Sequence, residues 1–330
     1  MNILVTGGAG YVGSILIPDL IKEKHHVKCL DRFFFGKESL SQIPSDNLEL
    51  IEDDIRLFNS ELLNDVDVVI DLASLSNDPS AELNQNLTMN INHEGRSRVA
   101  KLSKKMGVKK YILASTASIY GFQKDIVSEE SNVNPLTTYS KASYLAEQDI
   151  IPLNDESFCS VALRFGTIYG LSNRMRFDLV VNTMTYNLFS NGKIIINGDG
   201  KQSRPLIHVN DVSKSYRQVI DADKKIVGGQ IFNVGSESQN YEMSTLASEI
   251  ISTIPGNYEI IHQGTNDHRS YQVSFEKIKK KINFSPEFTI RDGTQQVFDA
   301  LKSGVLKHTK KTITLEWYKH LLESGKLQTI

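Results

Sequence analysis

The sequence predicts an α/β protein built on a doubly wound parallel sheet, with a smaller α/β lobe toward its C-terminal side. Three observations carry that expectation. The β-branched runs are continuously apolar instead of alternating, as strands covered on both faces must be. Segments with helical spacing separate them. A glycine-rich turn joins the first strand to the first helix.

The strands follow in order as NILVTG (2–7), HVKCLD (26–31), LELIEDD (48–54), VDVVIDLA (66–73), KKYILAST (109–116) and SVALRFG (160–166). Helices are expected between them over Val12–Lys24 and Asn92–Met106. After about Gly170 the elements shorten and Asn, Gly and Ser accumulate, ending in an amphipathic helix near Leu315–Ser324. Residues 1–170 therefore read as the first lobe, with 205–235 returning to it, and 171–330 mainly as the second.

Composition narrows the function classes. Lys+Arg 37 against Asp+Glu 39 leaves a net charge of -2, with no pull toward nucleic acid or membrane. The basic runs KIKKK (277–281) and KHTKK (307–311) lack interleaved aromatics and read as solvated faces. Cys29 and Cys159 sit inside apolar runs, and neither they nor the histidines show zinc spacing, so no metal is expected. No apolar run approaches bilayer length, and the chain enters a strand at Asn2 with no charged leader before it. A soluble, cytoplasmic protein is the expectation.

The turn TGGAGYVGS places Gly7, Gly10 and Gly13 between a strand and a helix, with Tyr11 and Val12 inside it. Glycine there lets backbone approach a pyrophosphate, and the helix N-terminus offers free N–H groups. Asp31 closes the second strand, eighteen residues past Gly13, where a carboxylate accepts from ribose hydroxyls and repels a 2′-phosphate. NAD is thus favoured over NADP, with Arg32 adjacent. DDI (53–55) ends the third strand, so Asp54 and Ile55 are placed at the adenine. DLAS (71–74) ends the fourth, where Leu72, Ala73 and Ser74 leave room for cofactor backbone.

Taken together, these residues resemble the extended short-chain dehydrogenase/reductases, the NAD-dependent nucleotide-sugar epimerase and dehydratase group, over nearly the whole chain. The landmarks are the glycine turn, DDIR, DLAS, NHEG (92–95), STASIYG (115–121), NPLTTY (134–139), LRFGTIYG (163–170), GDGKQSRPLIHVNDV (198–212) and DHRSYQVSFEKI (267–278). NRMRFDLVVN (173–182) with DHRSY is most similar to a subset that includes a GDP-heptose 4-dehydrogenase. The resemblance implies a Rossmann-type fold, NAD and a nucleoside-diphosphate sugar. It implies Tyr139 as acid/base, Thr116 holding the same sugar hydroxyl, and Asn92 among the cofactor contacts. Arg204 and Arg269 fall at diphosphate positions, with Arg174, Arg176 and Asn182 as further substrate contacts. A homodimer through helices near 81–106 and 139–153 is implied as well.

One position departs from the family pattern, in which a lysine follows the tyrosine by one helical turn. Here Ser143 stands at that place. A tyrosine with the ordinary pKa of about 10 is only roughly 0.1% ionised at pH 7, and bringing it near 7 needs roughly 4 kcal/mol. Ser143 offers a hydroxyl to the ribose but no charge. Lys141 points about 200° away around the helix. A slow enzyme, a cation supplied from elsewhere, or a non-catalytic NAD-binding regulator on the same fold are the three readings. Ala117 and Ser118 after Thr116 disfavour dehydration, and Cys159 is misplaced for 3,5-epimerisation, leaving C4 epimerisation or dehydrogenation/ketoreduction.

Overall fold

The computed structural model describes residues 1–43, 45–264 and 270–327. Strands are numbered β1 (Asn2–Thr6), β2 (His26–Asp31), β3 (Leu48–Glu52), β4 (Val68–Asp71), β5 (Lys110–Thr116), β6 (Phe122–Val127) and β7 (Cys159–Phe165). They continue as β8 (Thr167–Tyr169), β9 (Lys193–Asn197), β10 (Ser203–His208), β11 (Gln230–Val234), β12 (Asn240–Glu242), β13 (Glu259–Gln263) and β14 (Ser270–Val273). The central sheet has seven parallel strands in the order β11-β7-β5-β4-β1-β2-β3. Its strand order reverses at β1, which pairs with β2 on one side and β4 on the other.

The unbroken apolar runs have a direct structural reason. Successive side chains of one strand enter different cores, so both faces are dry. Ile3, Val5, Cys29, Ile70 and Ile112 pack into one core, while Leu4, Leu30, Val69 and Leu113 pack into the other. Each such fully buried side chain contributes roughly 1.5–3 kcal/mol. β3 is the exception: it lies at the sheet edge, half exposed, and stops at Glu52.

Two helices differ from expectation in ways that shape the site. Helix Gly13–Lys22 carries Pro18 in its interior. Proline has no N–H to give the carbonyl four residues back. The Asn173 side chain donates to that carbonyl, Ser14 O, at 3.0 Å. The Ser172 hydroxyl donates to Tyr11 O at 2.7 Å, so the 172–174 loop is docked on this helix. The second is the predicted helix from Asn92. The chain instead makes a π-turn over Asn90–Gly95 before the α-helix Arg96–Lys105. Asn92 is fully buried there, accepting from Leu75 N (2.8 Å) and donating to Leu75 O (3.1 Å).

Beside the central sheet lie a three-stranded sheet, β12-β10-β8, and the parallel pair β13-β9; β8 and β10 thus join a second sheet, although residues 1–170 and 205–235 are expected to form the first lobe. Helices Val180–Asn191, Met243–Thr253 and Ile290–Lys302 pack with them around Val181, Leu206, Leu246 and Ile290. Helix Thr314–Glu323 packs against Phe34 and Phe35 after β2, where Trp317 Nε1 donates to Phe34 O at 2.6 Å. Among the described residues no helix is long and apolar enough to cross a membrane.

His208 joins β10 to helix Val209–Asp221, accepting from Asn210 N at 3.1 Å while its ring stacks on Phe288. Burial first holds its imidazole down, to about 4. An unfolded histidine titrates near 6.5. Between those values the unfolded chain binds a proton that the folded chain refuses. Stability is therefore full above about pH 6.5 and falls as the pH drops toward 4, by about 3 kcal/mol in all. His208→Asn keeps a capping acceptor without the titration. On going from about pH 7 to about pH 4.5, the wild type should lose more stability than this variant, read as denaturant midpoints. Equal losses would contradict the assignment.

Candidate active site

A cavity of about 670 Å³ opens at the carboxyl ends of the sheet strands and runs to β9, β10 and helix Met243–Thr253. One half is lined by Gly7, Gly10, Tyr11, Val12, Gly13, Asp31, Arg32, Asp54, Ile55, Leu72, Ala73 and Ser74. Gly7 has φ +65°, and a Cβ there would lie 2.7 Å from Ala73 Cα, so the β1 and β4 turns touch only because this residue is glycine. A Cβ on Gly13 would lie 2.3 Å from the Gly8 carbonyl oxygen. This cradle, with Ser74 Oγ buried and unpartnered, fits a dinucleotide.

The acidic residues of this half differ in their freedom. Asp31 accepts from Phe33 N (2.7 Å) and Ala9 N (3.0 Å), and burial pushes its carboxyl above the usual range. Asp54 is engaged by Arg56 at 2.9 and 2.7 Å and by Arg32 at 3.1 Å. Burial alone would raise its carboxyl, but Arg56 and Arg32 hold it below the usual range. Its oxygens are thus largely occupied within the protein. Asn92 does not line the cavity; it fixes the turn that does, through Leu75.

The other half is built around helix Thr138–Ile150. Thr137 caps it, its hydroxyl accepting from Ser140 N at 3.2 Å in a reciprocal capping box, which puts Tyr139 in the first turn facing the cavity. Thr116, the last residue of β5, lines the cavity with Tyr139, its hydroxyl accepting from Ser118 N at 3.1 Å. Burial and then the Asp78 carboxylate push the phenol above its ordinary value, opposed by Arg96, Arg176 and Thr116. Asp78 comes from the turn after β4, where Asn77 is held at φ +78° and donates to Asp178 at 2.5 Å. Such strain in a non-glycine residue clusters at functional sites. Two turns along the helix, fully buried Glu147 accepts from Ser115 and from Arg164 at 2.9 and 2.7 Å, bolting the helix to β5 and β7.

Ser143 does not join Tyr139 and Thr116. It is buried, its hydroxyl donates to Tyr139 O at 2.9 Å, and it is not among the cavity residues. Lys141 is exposed, beside Glu82. Cys159 is buried at the start of β7, away from the cavity.

Among the arginines, Arg204 lines the cavity from β10 with its guanidinium 5.5 Å from the Tyr271 ring. Arg176 lines it too, paired with Asp178 at 3.1 and 2.7 Å and donating to Ser76 at 3.1 Å. Arg174 stacks on Phe35 at 3.4 Å, and the Asp31 charge reaches it, which sets it at the dinucleotide half. Asn182 lies behind the cavity, accepting from Gly170 N and donating to Tyr11 Oη and Arg176 O. Arg269 lies outside the described residues. Sequence reasoning missed Phe35, Asp78, Arg96, Tyr216 and Tyr318, all of which line the cavity. Only Asp78 carried a local signal, the turn sequence NDP. Among the described residues, no cluster of His, Cys, Asp or Glu could hold a metal.

Comparison with known proteins agrees with this geometry. The family model described as "NAD dependent epimerase/dehydratase family" matches residues 3–235. The chain is 26% identical over 310 residues to a putative UDP-glucose 4-epimerase of Methanocaldococcus jannaschii, covering 92% of this chain and 99% of that protein. It is 27% identical over 319 residues to UDP-glucuronic acid decarboxylase 1 of Arabidopsis thaliana, covering 93% and 71%. In fold it is similar to the UDP-glucuronic acid 4-epimerase of Bacillus cereus, solved with UDP-glucuronic acid and NAD, at TM-score 0.80 and 23% identity, covering 92% and 99%. With more than half of its length inside the family model, the chain belongs to the NAD dependent epimerase/dehydratase family.

Proposed function

We propose that this chain is a cytoplasmic enzyme that oxidises and reduces C4 of a nucleoside-diphosphate sugar with NAD, as a 4-epimerase or a 4-dehydrogenase/ketoreductase. The observation that carries the reading is that Thr116 and Tyr139 line the same cavity as the Gly7–Gly13 cradle. The names of the relatives support UDP-sugars as the first substrates to try.

Residues 1–170, with 205–235, would hold the dinucleotide, and 171–330 mainly the sugar nucleotide. Bound NAD would supply the hydride acceptor for C4. Asp31 would accept from the adenosine ribose, and the N–H groups at Gly10–Gly13 would face the pyrophosphate. Thr116 holds the C4 hydroxyl against Tyr139, and the Tyr139 phenolate takes its proton as the C4–H bond gives up its hydride and the C4 carbonyl forms. In the reverse direction the phenol returns the proton. Arg204, with Arg269, would clamp the diphosphate. Arg174 would lend positive potential along the cavity wall, Arg176 would contact the substrate while paired with Asp178, and Asn182 keeps their loop in place. A homodimer through helices near 81–106 and 139–153 completes the proposal.

The test is incubation of the purified protein with NAD and a panel of UDP-, GDP-, dTDP- and CDP-sugars, followed by NMR of the sugar and absorbance at the NADH band. A changed C4 centre or C4 ketone is expected for at least one sugar. NAD binding with no sugar altered, no NADH formed and no nucleotide bound would instead identify a non-catalytic NAD-binding protein.

A further inference from the structure

Ser143 leaves Tyr139 without a cation one turn along its helix, and Lys141 faces away from it, yet a cation stands nearby. Arg96 is only 2% exposed and lines the cavity together with Thr116 and Tyr139. Its Nε donates to Asp71 Oδ2 at 3.3 Å, and its Nη2 donates to Asp71 O at 3.0 Å and to Ala114 O. Those carbonyls end β4 and approach the end of β5, two residues before Thr116. The guanidinium is therefore fixed at the floor of the cavity, and its Nη1 makes no hydrogen bond with the described residues. Asp71 is fully buried behind it, is absent from the cavity wall, and is shared with the hydroxyls of Thr6 and Tyr111. The π-turn Asn90–Gly95 ends at Arg96 and delivers it to the same buried face as Val99, Ala100 and Ser103. Inserted turns of this kind concentrate at functional sites.

We propose that Arg96 is a positioning residue that supplies the fixed positive charge beside Tyr139 which Ser143 cannot. This rests on reading Tyr139 as the acid/base. Every group facing the phenol enters the balance. Asp78, from the turn after β4, opposes ionisation, while Arg96, Arg176 and then the Thr116 hydroxyl favour it. Tyr216, from helix Val209–Asp221, faces Arg96, Asp71 and Tyr139 with its hydroxyl unpartnered. Arg176 is the weaker of the two cations, because its partner Asp178 also lines the cavity and cancels its field there. The partner of Arg96 does not line the cavity. A permanently charged guanidinium suits the role, since it stays charged when desolvated.

The test follows the Tyr139 phenol directly, by ¹³C NMR of the full-length, NAD-loaded protein labelled at tyrosine Cζ, with Tyr139→Phe to assign the signal. Arg96→Gln should move the Tyr139 titration upward by about one pH unit. Arg96→Lys should leave it near the wild type, and Arg96→Gln with Ser143→Lys should bring it back. The alkaline limb of any sugar-dependent rate should move in parallel. An unchanged Tyr139 titration in Arg96→Gln that still binds NAD overturns the proposal. Where Arg96→Gln does not fold, Arg96→Gln with Asp71→Asn removes both buried charges and is read the same way. Because the titration needs no sugar, failure here is distinct from failure of the proposed reaction.

Discussion

Tyr139→Phe is expected to lower hydride transfer from the sugar by about 10³-fold, within the span typical of a positioned acid/base. The phenylalanine keeps the ring, so the first turn of helix Thr138–Ile150 and its Thr137 cap remain. NAD affinity should stay as it is, because the dinucleotide half of the cavity is untouched. Burial and Asp78 hold the phenol in its protonated form, so the wild-type oxidation rate should climb with pH through the alkaline range. The variant should lose that dependence along with its rate. Stopped-flow absorbance at the NADH band reads both. A variant that keeps the wild-type rate and profile would remove Tyr139 from the chemistry.

Glu147→Ala should cost about 3–5 kcal/mol of folding stability, the largest effect expected of a single change outside the cavity. Glu147 is fully buried and Arg164 is 3% exposed, joined at 2.7 Å. Without the carboxylate, the guanidinium would keep only the Tyr120 hydroxyl, at 2.9 Å, as a side-chain partner among the described residues. The thermal midpoint should fall by roughly 6 °C. Replacing both residues by apolar side chains of similar volume should recover most of the loss, since a buried pair contributes little net stability once neither charge is present. A loss below about 1 kcal/mol for Glu147→Ala would show that the pair does not anchor the helix. The consequence for the site is mechanical. Glu147 also holds Ser115, so the strand end carrying Thr116 and the helix carrying Tyr139 are fastened by one carboxylate.

Much of this architecture is written locally in the chain. A strand buried on both faces has to be apolar at every position, which is why the runs at 2–7, 26–31, 66–73, 109–116 and 160–166 are legible without any partner. Gly7 is legible because its left-handed backbone against Ala73 admits no side chain. Tyr139 and Thr116 are legible only through the family resemblance that NPLTTY and STASIYG carry. What was not legible depends on long-range contacts. Nothing near Asn90 announces an inserted helical turn, and Arg96 is one charge in a charged helix until the sheet carbonyls receive it. Arg174 stacks on Phe35 from a loop whose Asn173 takes the carbonyl that Pro18 leaves free. Asn182 has the polarity of a ligand contact but spends it on Gly170, Tyr11 and Arg176. Ser143 has a hydroxyl placed to reach outward, and its own helix carbonyl claims it.

The most direct test of C4 oxidoreduction is a sugar nucleotide carrying deuterium at C4, presented to the NAD-loaded protein and followed by NMR and mass spectrometry. The account predicts a slowed rate relative to the protiated sugar and deuterium carried either to the opposite face of C4 or onto the nicotinamide. Deuterium left in place on an unaltered sugar, for every nucleotide that binds, would contradict it.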